Sequence, residues 1–186
     1  MATEDLERRI RICTRCRLHL SRKNAVPGDG PYKTDIMFIG EAPGFNEDMQ
    51  GKPFVGAAGN TLNELMRSAG IPREKVFITN IVKCRPPENR APADDEIKAC
   101  SEYLQQQISI IKPKLIVSLG RISAQGLLGK PVAISKVHGS LLDFKLGDVS
   151  CKLFLTYHPA AALYGAETRL KLQDDFAKLK RVLKFG

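Results

Sequence analysis

The sequence predicts a doubly wound α/β fold, and three observations carry that prediction. Runs at 35–39, 76–81, 115–119 and 153–157 are short, rich in β-branched residues and mostly apolar rather than alternating. That is the pattern of strands covered on both faces of a parallel sheet. Helix-like segments fall between the runs, giving the order βαβαβαβα. Each run is followed by a polar or glycine-rich signature: Gly40-Glu41-Ala42-Pro43-Gly44, Asn80, Gly120-Arg121, and His158-Pro159-Ala160-Ala161. In open α/β sheets ligands bind beyond the carboxyl ends of the strands, so these signatures share one rim.

Taken in order, the first run leads into a loop containing Glu47 and Asp48, and then into an amphipathic helix at 59–69. Leu62, Leu65, Met66 and Ala69 form its apolar face at spacings of three and four. After the second run, the acids Asp94, Asp95 and Glu96 mark the first turn of a helix reaching about residue 110. A shorter helix is expected over 121–128. The stretch SLLDFKLGDVSCKLFL reads as a hairpin turning at Gly147-Asp148 and feeding the last strand. A final helix is expected over 167–183. No repeat, low-complexity tract or linker interrupts residues 1–186, which are read as one domain.

Composition narrows the function. The chain has 186 residues, of which 43% are hydrophobic, so it can bury an ordinary core. No segment approaches the roughly 20 apolar residues of a membrane helix, and MATEDLERRI, which lacks an apolar run, is not expected to be a signal peptide. A cytoplasmic protein is expected, without a membrane partner. The net charge is +9. Such an excess favours polyanions, because binding phosphates releases counterions, although a solvated basic surface has the same composition.

The five cysteines are Cys13, Cys16, Cys84, Cys100 and Cys151. In an intracellular chain they favour metal binding or catalysis over disulfides. Cys13-x-x-Cys16 is a chelating spacing. Cys84 and Cys100 flank a loop stiffened by Pro86, Pro87 and Pro92. Four thiolates satisfy tetrahedral zinc or an iron–sulfur cubane. The 15 residues between Cys84 and Cys100 suit the larger group better, but the residues leave both open. Cys151, beside a strand, reads as a small apolar side chain.

Cys13-x-x-Cys16, GEAPGFNEDMQGKPFVGAAGNTL, TNIVKCRPPENRAP, SLGR and TYHPAA together closely resemble the family 4 uracil-DNA glycosylases. These are iron–sulfur base-excision enzymes of thermophilic bacteria, archaea and some other bacteria. The resemblance runs from about residue 13 to the last helix. It implies a three-layer α/β/α sandwich around a four-stranded parallel sheet, and a [4Fe–4S] cluster on Cys13, Cys16, Cys84 and Cys100. In this family the cluster is thought to order loops near the DNA. Uracil-containing DNA, single- or double-stranded, is the implied partner. A replication clamp, nucleoid association and a monomeric state are further expectations.

Carried over by position, Asn80 hydrogen-bonds the uracil edge, Phe54 stacks on the base, and Gly40, Glu41 and Ala42 line the pocket. His158 stabilises the departing uracil anion, and Leu163 wedges into the vacated stack. Glu41 and Glu47 are the candidate catalytic acids, with Asp48 beside Glu47. An amide offers both an acceptor and a donor, matching uracil N3–H and O4, whereas cytosine reverses the pattern. By residue type alone, Asn80 reads as a strand-end amide and His158 as a structural histidine; Phe54 stays open between a core aromatic and a loop position, which the glycines and prolines around it favour. His138 is read as a phosphate or loop residue. Arg85, Arg90 and Arg121 are candidate phosphate contacts.

Two departures bear on mechanism. The best-known uracil glycosylases place an aspartate in the turn after the first strand, where this chain has Ala42, which cannot serve as a base. After HPAA, family members often continue with leucines and a basic residue, whereas here Ala162-Leu163-Tyr164 follow. Two alternatives compete: a relative that binds or covalently traps uracil or single-stranded DNA, and an iron–sulfur electron carrier. The first is expected to carry a basic, histidine-containing insertion that this sequence lacks. The second leaves HPAA and Asn80 unexplained.

Overall fold

A computed structural model describes residues 2–184; the expected span of 1–186 reaches beyond them by residues 1, 185 and 186. In chain order the elements are α1 (Ala2–Arg11), β1 (Ile36–Gly40), α2 (Phe45–Gln50), α3 (Ala57–Ala69), β2 (Phe77–Asn80) and α4 (Asp94–Ile111). There follow β3 (Leu115–Leu119), α5 (Arg121–Leu128), α6 (Ile134–Val137), β4 (Ser140–Leu146), β5 (Val149–Thr156) and α7 (Ala166–Lys184).

The sheet order is β2-β1-β3-β5-β4. The first four strands are parallel and β4 runs antiparallel to β5. The parallel four-stranded core is as expected. The hairpin turning at Gly147 adds a fifth, antiparallel strand at one edge and makes the sheet mixed. This edge strand is largely exposed, with only Phe144 buried along it.

Because successive strand residues point to opposite faces, the apolar runs feed two cores. Met37, Ile39, Phe77, Ile116, Leu153 and Leu155 pack with Leu6 and Ile10 of α1, Leu104 and Ile108 of α4, and Ala124 and Leu127 of α5. Phe38, Ile78, Val117 and Phe154 face Leu62, Leu65 and Met66 of α3, and Leu172, Phe176 and Leu179 of α7. The Phe38 and Phe176 rings stack at 6.3 Å between centroids. Truncating either to alanine is expected to cost about 3–5 kcal/mol. This is the three-layer arrangement.

Register sets the site. Gly40 of β1 pairs with Asn80 of β2, and Leu119 of β3 with Thr156 of β5, so the parallel strands end on one edge. The fold differs from the sequence reading at three helices, one of them the single turn α6, where none was expected. Ala2–Arg11, a charged N-terminal stretch, forms α1 and buries Leu6 and Ile10 one turn apart. Glu47 and Asp48, expected in a loop, lie in α2. That helix is too short to show periodicity, and its start is fixed by Glu47 accepting the Gly44 N–H at 3.2 Å.

Candidate active site at the carboxyl edge of the sheet

A cleft of about 340 Å³ opens at this edge, walled by the turn after β1, the Phe54 loop, the Pro86–Arg90 segment and the turn after β5. It contains Glu41, Ala42, Glu47, Phe54, Asn80 and His158. Gly40 lies directly behind them, against Asn80 and Phe54.

Asn80 is 2% exposed. Its side chain makes no hydrogen bond to the described residues, and Oδ1 is buried without a partner. Leaving such an atom unpaired costs about 1–3 kcal/mol. Gly40 makes the close approach possible. A Cβ there would collide with Asn80 Oδ1 and stand 2.6 Å from Phe54 Cζ.

Phe54 is buried and has φ 51°, a left-handed conformation uncommon outside glycine. Two braces hold it. Arg73 donates to the carbonyls of Pro53 (2.7 Å) and Phe54 (3.2 Å). Glu47 Oε1 accepts the N–H groups of Val55 and Gly56, each at 2.9 Å. With the bond from Gly44, the Glu47 carboxylate takes three backbone donors. Asp48 is equally committed, accepting the N–H groups of Lys23 (2.9 Å) and Asn24 (3.1 Å).

The Phe54 ring faces the His158 imidazole at 5.7 Å and 27°. His158 caps the short 3₁₀ turn Pro159–Leu163. Its Nδ1 accepts the Ala160 N–H at 3.1 Å, and Pro159 at the first turn position surrenders no useful donor. An accepting Nδ1 puts the proton of the neutral ring on Nε2. Burial pushes the His158 pKa down to about 4, with Glu47 pulling weakly the other way. Behind it, Gly120 has φ 93°, and a Cβ there would lie 2.9 Å from His158 Cβ.

Glu41 is the remaining acid of the cleft. Burial raises its carboxyl pKa while Arg121 lowers it, and it accepts no side-chain hydrogen bond among the described residues. Among the candidate phosphate contacts, Arg90 is engaged by Glu96 at 2.7 and 2.8 Å. Arg121 is held by Gln125, and Arg85 by Asn89 and the face of Phe45. Leu163, at the end of the 3₁₀ turn, is 46% exposed, and Tyr164 beside it is 90% exposed. His138 does not line the cleft; it pairs with the buried Asp175 at 3.0 Å.

Cys13, Cys16, Cys84 and Cys100 line a second cavity with Arg22, Lys83 and Tyr103. Arg22 donates to Cys84 Sγ at 3.1 Å. All four are free thiols, and burial raises the pKa of Cys16, Cys84 and Cys100, the last to about 11. Among the described residues no three His, Cys, Asp or Glu side chains converge on a single-ion site. Cys151 packs at the edge of the first core, apart from this cavity.

Sequence reasoning passed over two buried charges. Glu96 accepts bonds from Arg90, Arg17 and the Ala93 N–H, and Arg90 above all holds its carboxyl down to about 2. Its place in the first turn of α4 signalled a cap, but not the arginine pair. Lys83 is 1% exposed, and burial pushes its pKa down to about 8. The signal was a lone lysine inside Thr79-Asn80-Ile81-Val82-Lys83-Cys84.

Fold and cleft define an α/β protein whose cleft opens at the carboxyl edge of a mostly parallel sheet. The chain belongs to the uracil DNA glycosylase superfamily, whose sequence profile matches residues 27–184. It is 51% identical over 179 residues to the type-4 uracil-DNA glycosylase of Saccharolobus solfataricus, covering 94% of this chain and 83% of that one. It is 44% identical to the type-4 enzyme of Thermotoga maritima, covering 97% and 94%. Similarity to the type-5 uracil-DNA glycosylase of Pyrobaculum aerophilum is lower, 29% over 134 residues, covering 70% and 56%.

Proposed function

We propose that the chain is a uracil-DNA glycosylase that hydrolyses the bond between uracil and deoxyribose and leaves an abasic site. The observation that carries this is the unpartnered Asn80 amide, buried in the same cleft as the Phe54 ring and a histidine held neutral. Asn80 accepts from uracil N3–H and donates to O4. Cytosine, with an acceptor at N3 and a donor at C4, leaves both ends of the amide unpaired. Phe54 stacks on the ring and excludes water.

The target nucleotide leaves the helix to enter the cleft, at a cost of a few kcal/mol, and Leu163 fills the gap. The bond from C1′ to N1 breaks with its electron pair passing to uracil, where charge spreads onto O2. His158 Nε2–H donates to O2. A neutral donor is suited to this task because it stabilises the anion without surrendering its proton. A fixed donor of this kind is worth roughly 10²–10³ in rate. Water adds to C1′ and releases a proton to solvent, which balances the uracil anion when it is protonated on release. With Ala42 in the turn, and with Glu47 and Asp48 committed to backbone donors, Glu41 is the acid free to orient that water. Leaving-group stabilisation supplies most of the acceleration. Glu47 acts as a positioning residue for the Phe54 loop.

Cys13, Cys16, Cys84 and Cys100 hold a [4Fe–4S] cluster in this reading. The donor set fits: four thiols on one cavity, with an arginine donating to one of them, suit a multi-iron group of negative charge better than a single cation. The cluster's contribution is a structural tie between the α1 end of the chain and the loop carrying Pro86–Arg90, which walls the cleft.

The test is incubation of purified protein with a uracil-containing oligonucleotide, followed by alkaline cleavage. Strand scission at the uracil position supports the proposal. Intact strand, with or without retained DNA, refutes it.

A further inference from the structure

The ammonium of Lys83 is buried between the cleft and the cysteine cavity. Nζ donates to the carbonyl of Asn80 at 2.8 Å, to Thr79 Oγ1 at 2.6 Å and to Gln107 Oε1 at 2.7 Å. Thr79 and Gln107 in turn donate to the carbonyl of Pro27 at 2.7 and 2.8 Å. All three partners of the ammonium are neutral oxygens, and no carboxylate lies within ion-pair distance of it among the described residues. Burial opposes the charge, and Cys84 and Cys100 on the adjoining cavity favour it. A purely packing role at this position is met by leucine or methionine without burying a charge, so the ammonium serves through its hydrogen bonds and its place beside the cysteines.

Of the three acceptors, the Asn80 carbonyl belongs to the residue whose side chain stands unpartnered in the cleft. Asn80 is the last residue of β2, an edge strand that pairs with β1 on one side and meets Asp29 in an isolated bridge at Ile78 on the other. Beyond it the chain turns away through Ile81, whose N–H bonds the Gly40 carbonyl at 2.9 Å. The peptide unit joining Asn80 to Ile81 is thus held from both sides, its N–H by the Gly40 carbonyl and its carbonyl by the Lys83 ammonium. We propose that Lys83 is a positioning residue for base recognition, its ammonium clamping the Asn80 carbonyl so that the side-chain amide is aimed into the cleft. The inference rests on the reading of Asn80 as the base-selecting residue. Lys83 touches neither substrate nor reacting atoms in this account.

The experiment is a double-mutant cycle on uracil excision with Lys83→Met, Asn80→Ala and the combined variant, alongside equilibrium binding of free uracil. Lys83→Met keeps the apolar stem and removes the charge. It is expected to lower kcat/KM and uracil affinity by about 10- to 100-fold, the worth of a charged hydrogen bond. The combined variant is expected to fall no further than Asn80→Ala alone, because the clamp has nothing left to aim. Losses that multiply, or a Lys83→Met protein with wild-type uracil affinity, overturn the proposal. If Lys83→Met does not fold, Gln107→Met, which withdraws one acceptor from the ammonium, replaces it in the same cycle with the same expected non-additivity. Undiminished excision by Asn80→Ala would sink the reading of the cleft itself, which separates that failure from a failure of the clamp.

Discussion

The backbone N–H of Ala160 donates to Nδ1 of His158 at 3.1 Å, and this bond fixes which ring nitrogen faces the cleft with a proton. Together with burial, which pushes the pKa down to about 4, it keeps the His158 ring neutral with its proton on Nε2.

Excision should therefore show no inflection near pH 6.5, the ordinary histidine value, because the His158 pKa is about 4. The same shift bears on stability. Between pH 6.5 and 4 the unfolded ring takes up a proton that the native ring refuses. Native stability is thus complete above about 6.5 and falls by about 3 kcal/mol as pH drops to about 4. A kcat/KM profile and denaturant titrations at pH 7.5, 5.5 and 4 check both. His158→Ala should lose about 10²–10³ in kcat. Near-normal excision by that variant, with Asp48→Asn inactive, would contradict the proposed chemistry.

Asn80→Asp replaces a donor by a second acceptor. Facing uracil O4, the new carboxylate leaves like charges opposed, and kcat/KM on uracil should fall by about 10⁴. Cytosine, whose exocyclic amine is a donor, should be penalised less. Competitive excision from oligonucleotides differing at one base reads the ratio directly.

Glu47→Gln tests brace against base. A glutamine side chain retains one acceptor oxygen for Val55, Gly56 and Gly44 but loses the charge. Loss of a charged bond or two predicts a fall of about 10-fold in kcat/KM and an unchanged pH profile. A general base would cost 10²–10⁴ and remove a limb of the profile.

Glu96 anchors Arg17 and Arg90 from beneath the proline loop. Its pKa is about 2, below the usual carboxylate range, so its contribution is present above about pH 4.5 and lost as pH falls through about 2. Both arginines are substantially exposed to solvent, which screens the pairs, so their loss costs far less than breaking a fully buried pair. Glu96→Gln should melt lower than wild type at pH 7, and the gap should narrow toward pH 3.

Flipping costs least where pairing is weakest. Rates on U·G and on single-stranded uracil should equal or exceed those on U·A at matched sequence. A clear preference for U·A under single-turnover conditions would remove flipping cost as a source of selectivity.

The strands, their parallel order and the rim they share could be read from the chain, because apolar runs of strand length bounded by turn residues leave few ways to bury both faces. The cysteine pairs and the residues of the cleft were visible as types: an amide after one strand, an imidazole after another, an aromatic among glycines. Their partnerships were not visible. That Glu47 braces the Phe54 loop, that Ala160 selects the His158 tautomer, and that Lys83 lies between Asn80 and the cysteine cavity all depend on contacts between segments distant in the sequence or on backbone angles that no residue type dictates. Burial decides such roles, since it turns an ordinary carboxylate, imidazole or ammonium into one whose charge and hydrogen bonds are fixed by its surroundings. Burial is a property of the packed layers, acquired only once the sheet has formed and the helices have closed over it.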